Sequence, residues 1–145
     1  MKKLILTALI GATGLVCGSA FSQEAAPIVV EFQGPGGHSS SNYGRTSGLH
    51  AAARSVIELQ KMSLPAGSYT VSELRGGNSV NSIASDGSYV VKLNARTGIT
   101  QSDFLAKVTA AAKAGTDAEN AFRNVKPGDL TAGAPADVRY SVKPQ

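Results

Sequence analysis

Residues 28–40 decide the fold, and they read IVVEFQGPGGHSS. The first five are rich in β-branched and aromatic side chains, which is typical of a strand. Glycine and proline at positions 34–37 then end that strand in a tight turn. The turn leads to one polar side chain, His38, and to a small polar loop over residues 39–45. We therefore predict a strand followed directly by a loop that presents a histidine.

A helix is predicted next, over residues 47–62. Its apolar side chains recur at steps of three and four residues, which places them on one face. Arg54, Glu58 and Lys61 lie on the opposite, solvated face, where oppositely charged neighbours support a helix. The segment Pro65-Ala66-Gly67 ends it. The apolar stripe consists of Leu49, Ala52, Ala53, Val56 and Leu59.

Three further strands are predicted, at residues 69–74, 89–93 and 138–142. The first of them ends at Gly76-Gly77, a glycine pair that is typical of a loop needing positive φ. The following loop, residues 78–87, carries Asn81.

A second helix begins at Thr100, because Thr100 and Asp103 have the spacing of a capping box. We predict that Gly115 caps its C-terminus. Thr116 and Glu119 repeat the capping pattern, so a separate short helix is expected from there to Phe122.

The order of elements is therefore β-α-β-β-α-β. Each strand has one apolar face and each helix one apolar stripe, so the economical packing is two layers. We predict an α+β, ferredoxin-like sandwich: a four-stranded antiparallel sheet with both helices on one face.

The N-terminus is predicted to be a secretory signal peptide over residues 1–22, followed by a single domain over residues 23–145. Two lysines precede a short apolar run, and small residues follow at the cleavage site, after Ser22 or after Ala20. An uncleaved anchor and a lipoprotein at Cys17 are the alternatives. We expect a periplasmic or secreted protein that contacts a membrane only through an uncleaved leader.

Charge and cysteine content exclude several classes of protein. Cys17 is the only cysteine and lies in the predicted leader, so a mature chain would have neither a disulfide nor a thiolate metal site. The net charge is +4, of which Lys2 and Lys3 supply two. No basic run interleaved with aromatic residues occurs, and we predict no nucleic-acid partner.

The sequence predicts no metal site and no nucleophile. It has two histidines, His38 and His50, and neither belongs to a zinc-binding motif. Ser39 and Ser40 follow His38 directly, which is poor geometry for a base. His38 and Asn81 can both be read as ordinary turn residues, and His50 as an exposed helix residue.

Together these residues resemble the dimerisation (lid) domain of the co-catalytic zinc metallopeptidases, family M-twenty, which includes aminoacylase and acetylornithine deacetylase. The match covers residues 28–142. The motifs that carry it are Gly36-Gly37-His38-Ser39, Ser47-Gly48-Leu49-His50-Ala51, and Gly76-Gly77 with Val80-Asn81-Ser82-Ile83-Ala84.

The resemblance implies roles for three residues. His38 would stabilise the oxyanion in a partner subunit's catalytic site, and Asn81 would contact the substrate or its carboxylate. Many relatives carry a substrate-gripping arginine where this chain has Asn94, and Arg96, two residues on along an ideal strand, would substitute. The zinc would come only from a separate catalytic domain, which is not recognisable on either side of residues 28–142.

Three functions remain open from the sequence. The first is an exported, non-catalytic lid-like domain that forms a homodimer or docks on a full-length metallohydrolase. The second is a split or truncated piece of such an enzyme. The third is a periplasmic module that binds a small ligand or peptide through the surface of His38 and Asn81.

Overall fold

A computed structural model describes residues 25–145 of the chain. The predicted signal peptide and its cleavage site lie outside the described residues. The described part folds into eight strands, two α-helices and one short 3₁₀ helix. In chain order they are β1 (Ile28–Gln33), β2 (Gly37–His38), α1 (Gly48–Lys61), β3 (Tyr69–Arg75), β4 (Ser82–Ile83), β5 (Asp86–Leu93), a 3₁₀ helix (Ala95–Thr97), α2 (Gln101–Phe122), β6 (Leu130–Thr131), β7 (Ala134–Pro135) and β8 (Arg139–Pro144).

The four longer strands form one sheet in the order β3-β5-β1-β8, and every neighbouring pair is antiparallel. Val30 in the central strand β1 stands opposite Tyr89 of β5 and Val142 of β8. This is the predicted two-layer α+β sandwich, and the fold class is confirmed. The strands at 86–93 and 139–144 extend beyond their predicted ranges.

The core lies between the sheet and the two helices. Alternate residues of β1 and β5 are buried, as expected for a sheet that is covered on one face only. Burial of each large apolar side chain stabilises the fold by about 1.5–3 kcal/mol. The largest apolar members of this core are Ile28, Val30, Phe32, Leu59, Tyr89, Val91, Leu93, Phe104 and Val108.

Both helix starts follow the sequence rules for capping. The Ser47 side chain accepts the His50 N–H at the start of α1. The Thr100 hydroxyl accepts the Asp103 N–H at the start of α2, as predicted. The Asp103 carboxylate accepts a hydrogen bond from the Thr100 hydroxyl, at 2.7 Å.

The prediction that Gly115 ends the second helix is wrong, because α2 continues unbroken through it to Phe122. Gly115 is the point where α2 approaches α1: a Cβ there would meet the Cα of Ser55 at 2.6 Å. Thr116 and Glu119 are buried between the helices and do not cap a new one. Their spacing imitates a capping pattern, but tertiary packing determines their role.

Two short hairpins were not predicted, because a two-residue strand has no measurable hydrophobic period. One pairs β2 with β4 and the other pairs β6 with β7. Within residues 25–145, no helix has the length and apolar character needed to cross a membrane.

Candidate functional site

The hairpin of β2 and β4 brings together the two glycine-rich turns that the sequence singled out. After β1, the Gly34 N–H bonds to the Ser85 carbonyl at 2.7 Å. His38 then stands opposite Ser82, and the Ser39 N–H bonds to the Asn81 carbonyl at 2.9 Å. The backbone thus places two residues that are distant in sequence at the same end of the sheet.

The side chains of His38 and Asn81 touch. Nε2 of His38 lies 3.1 Å from Nδ2 of Asn81, and both residues are exposed. We call them the His38–Asn81 pair. On the other side of the ring, Nδ1 lies 3.3 Å from the Ser40 backbone nitrogen and 2.9 Å from its Oγ. The Ser79 hydroxyl donates to Oδ1 of Asn81.

Glycine is required at Gly36, in the turn that leads to His38. Its φ of +57° lies in the left-handed region, and a Cβ there would meet the Cβ of Ser85 at 2.6 Å. Gly77, before Asn81, also has positive φ, as predicted, and its N–H donates to the Asp86 carboxylate at 3.1 Å. Both turns are therefore tied to the start of β5.

The structure does not bring Arg96 to this pair. Strand β5 starts beside the His38 turn and ends at Leu93, so Arg96 lies at the opposite end of the sheet. The length of β5, at a rise of about 3.4 Å per residue, separates Arg96 from the His38–Asn81 pair by roughly 25 Å. The strand ends at Leu93, as predicted, so Arg96 is not on a continuation of it. Residues Ala95–Thr97 form a 3₁₀ helix, and the Asn94 side chain accepts the Arg96 N–H.

His50 lies on α1 and belongs to a different group of side chains. Its Nδ1 is 3.8 Å from Oε1 of Glu119, a carboxylate that is fully buried. Glu119 also accepts the Ser47 N–H at 3.1 Å and the Arg54 Nε–H at 3.0 Å. Sequence reasoning missed this group, because its members lie on different helices. Its arrangement ties α2 to the start of α1, which is a structural task.

Three cavities lie near this end of the sheet, and neither His38 nor Asn81 lines any of them. One, of about 360 Å³, lies against the loop after His38. Another, of about 420 Å³, is formed by the loop that carries Asn81 and is lined by Leu49, Gly76, Gly77, Asn78, Ser79, Val80, Ser82 and Ala84. A larger one, of about 530 Å³, includes open-face residues of the sheet. Glu31 lies there, and a hydrogen bond from Lys143 holds the pKa of its carboxyl below the usual value.

The chemistry available at the pair is that of hydrogen bonding and proton exchange by one imidazole, assisted by one carboxamide. Among residues 25–145, no group of three or more His, Cys, Asp or Glu side chains is placed to hold a metal ion.

Solved structures of larger proteins, among them an aminopeptidase, share this fold. An aminobenzoyl-glutamate utilization protein from Klebsiella pneumoniae matches 83% of this chain with a TM-score of 0.60 at 14% identity. Aminopeptidase PepT from Bacillus cereus matches 83% with a TM-score of 0.50 at 15% identity. This chain corresponds to only 28% and 29% of those two proteins, respectively.

The chain therefore has the fold of one part of these larger proteins and spans less than a third of their length. The resemblance drawn from the sequence is confirmed at the level of fold. No protein-family description matches the sequence. No curated protein matches it either.

Proposed function

We propose that this chain acts as a lid-type or dimerisation-type domain that has no hydrolase activity by itself. It would place the His38–Asn81 pair against a zinc hydrolase site on another polypeptide. The observation that carries this proposal is the His38–Asn81 pair, whose side chains are exposed and lie 3.1 Å apart. The fold that presents the pair is shared with part of larger proteins, among them an aminopeptidase.

The proposed role follows from the charge that develops in acyl transfer. The tetrahedral intermediate has a negatively charged oxygen, which N–H donors stabilise when they are already in place. Removal of one such donor from an enzyme costs about 2.7–4 kcal/mol of transition-state stabilisation. His38 would supply a donor of this kind, and Asn81 would bind the substrate beside it. Zinc would be held by the other polypeptide.

Arg96 remains a proposed substrate ligand only for a group at the far end of the sheet. Arg96 lies roughly 25 Å from the His38–Asn81 pair, as estimated from a rise of about 3.4 Å per residue along the strand. A single small substrate does not bridge that distance.

We further propose that the chain is exported and acts outside the cytoplasm. The support is the predicted signal peptide at residues 1–22. N-terminal sequencing of chain recovered from the periplasm or medium tests this, and the expected new N-terminus is Gln23. Full-length chain that remains in the cytoplasm would contradict it.

Self-association is proposed to use helix α1 and the edge of the sheet beside it. Strand β3 is an edge strand, and α1 packs on β3 and β5. An unpaired edge strand can add a strand from a second copy. Ile57 of α1 is a large apolar side chain that is 50% exposed on this helix.

The test combines mass and activity. We expect the purified mature chain to be a dimer by light scattering and to show no hydrolysis of N-acyl amino acids when zinc is added. Ile57→Lys should shift the mass towards monomer, and Ala106→Lys, at an exposed position of α2, should not. A monomer at all concentrations that also fails to bind a full-length hydrolase of this fold contradicts the proposal. Turnover that chelators abolish would contradict the non-catalytic role.

A second candidate function is a module that binds a small ligand or peptide. The cavity of about 420 Å³ in the loop that carries Asn81 favours it. Calorimetric titration with N-acyl amino acids and short peptides tests it. Heat that disappears in Asn78→Ala, at a residue that lines this cavity, supports this function, and no heat with any of these ligands removes it.

A further inference from the structure

The open face of the sheet, on the side away from the helices, carries the cavity of about 530 Å³. A cavity of this size is usual for small-molecule sites. We infer that it binds a free α-amino acid, with the ligand's carboxylate on Arg139 and its ammonium group on Asp86. Neither residue of the His38–Asn81 pair lines the cavity, so the inference goes beyond the lid-type function and does not depend on it.

Strand pairing brings Asp86 and Arg139 into one row across the sheet. Gln33 of β1 stands opposite Asp86 of β5 on one side and opposite Arg139 of β8 on the other. Directly opposite residues of antiparallel strands lie on the same face of the sheet. All three are exposed and line the cavity. The cavity therefore has a positively charged group on one side and a negatively charged group on the other.

Arg139 is a cation without a partner. Its side chain forms no hydrogen bond and no ion pair with any residue in the part of the chain that the structure describes. The carboxylate of Glu31, in the same cavity, is already occupied, because it accepts hydrogen bonds from Lys143 at 2.6 Å and from Ser141 at 3.1 Å. A guanidinium group binds a carboxylate through two parallel hydrogen bonds. Arg139 can therefore take a carboxylate that a ligand supplies.

Asp86 has one of its two carboxylate oxygens engaged. Oδ1 accepts the Gly77 N–H at 3.1 Å. Oδ2 accepts no hydrogen bond from residues 25–145, and it can accept one from an ammonium group. Asp86 and Arg139 form no ion pair with each other. A ligand that carries both charges can therefore lie between them.

The separation of these two residues suits a single amino acid. Their Cα atoms are two strand spacings apart, which is roughly 10 Å at about 4.8 Å per spacing. Side chains stand roughly perpendicular to a sheet, so the two charged groups are separated by a similar distance. Hydrogen bonds of about 2.8 Å at both ends leave roughly 4 Å for the ligand. One residue spans about 3.5 Å, and its side chain would occupy the rest of the cavity.

Titration of the ¹⁵N-labelled mature chain with L-alanine, followed by ¹H–¹⁵N correlation spectra, tests the site. We expect saturable shifts of the backbone amides of Gln33, Ser88 and Arg139, in the millimolar range because exposed charge contacts are individually weak. N-acetyl-L-alanine lacks the ammonium group and L-alanine amide lacks the carboxylate, so each should bind roughly tenfold more weakly. Equal binding of either analogue, or shifts that never saturate, overturns the inference.

Variants assign the two charges. Arg139→Gln should weaken L-alanine binding roughly tenfold, and Arg139→Lys should weaken it less, because lysine keeps the charge and loses the paired hydrogen bonds. Asp86→Asn keeps an oxygen for the Gly77 N–H and should weaken binding as Arg139→Gln does. Lys61→Gln is the matched control, because it removes an exposed positive charge at the end of α1, in the helical layer. Parent affinity in Arg139→Gln or in Asp86→Asn, or an equal loss in Lys61→Gln, refutes the site.

These outcomes are independent of docking. A chain that docks on a hydrolase and does not bind L-alanine loses only the site on the open face. A monomeric chain that binds L-alanine and no hydrolase keeps this site, and the lid-type function fails. Shifts confined to the amides of Asn78 and Ser79 would place the ligand in the cavity of the loop that carries Asn81 and would contradict the inference.

Discussion

Substitution of Gly115 by alanine should destabilise the protein, although alanine is the better helix former. In an exposed helix, the exchange of glycine for alanine stabilises by about 1 kcal/mol. Gly115 lies inside α2 at its crossing with α1. An added Cβ there would approach the Cα of Ser55 at 2.6 Å and the carbonyl of Ala51 at 2.8 Å. These neighbours are backbone atoms, which cannot rotate away.

The magnitude follows from the movement that the methyl group requires. The nearest neighbour of the added Cβ is the Ser55 backbone nitrogen, and ordinary van der Waals contact begins at 3.4 Å, so the helices must separate by roughly 1 Å at this point. Overpacking of a well-packed core costs about 1–3 kcal/mol. We take the upper end, about 3 kcal/mol, because backbone is displaced. After subtraction of the gain of about 1 kcal/mol in helix propensity, the net loss is about 2 kcal/mol.

Urea unfolding of the mature chain, followed by circular dichroism, measures this loss. Thermal unfolding should show a Tm lower by about 8 °C, at roughly 4 °C per kcal/mol for a domain of this size. The matched control is Ala110→Gly, at an exposed position of the same helix, which should lose about 1 kcal/mol from propensity alone. A Gly115→Ala variant as stable as the parent chain, or more stable, would refute the close approach of α1 and α2 at this residue.

Two further outcomes are expected from the buried polar groups. Glu119→Ala leaves the Ser47 N–H without its acceptor and Arg54 without its carboxylate partner. Denaturant unfolding should therefore show a loss of about 2–3 kcal/mol in the free energy of unfolding. Lys113→Ala, whose side chain is exposed, is the near-neutral control. Tyr89→Phe removes the 2.8 Å bond to Ser55 and should cost about 1 kcal/mol at neutral pH. Burial raises the pKa of Tyr89 from 10.0 to about 12, so this phenol ionises at lower pH in the unfolded chain than in the folded one. Its contribution to the free energy of unfolding is therefore complete below pH 10 and is lost as pH rises from 10 to about 12. The difference in stability between the parent chain and Tyr89→Phe should therefore decrease over that window, and a constant difference would contradict this account.

Features that depend on neighbouring residues were predictable. Ser47 and Thr100 begin their helices, and Gly77 has the positive φ that its turn needs. The strands around Val30 and Val91 follow from their alternating apolar residues. These signals are short-range, because capping, turns and periodicity act over a few residues.

Features that depend on distant contacts were not predictable. Thr116 and Glu119 have the spacing of a helix cap, but both are buried inside α2. Arg96 was placed on an ideal strand beyond Asn94, and it lies instead in a 3₁₀ helix, at the end of β5 that is far from Asn81. No local pattern reports which carboxylate will be buried against another helix.

The sequence by itself determined the order β-α-β-β-α-β, and with it the two-layer sandwich, because each element has only one apolar face to bury. It also singled out His38 and Asn81 as the polar residues of two glycine-rich turns. Only the tertiary structure decided that their side chains meet at 3.1 Å, and that Ser40 and Ser79 contact them. The physical reason is that the pairing of β2 with β4 brings the two side chains together. A pairing of only two residues on each strand leaves no periodic hydrophobic pattern from which the sequence could predict it.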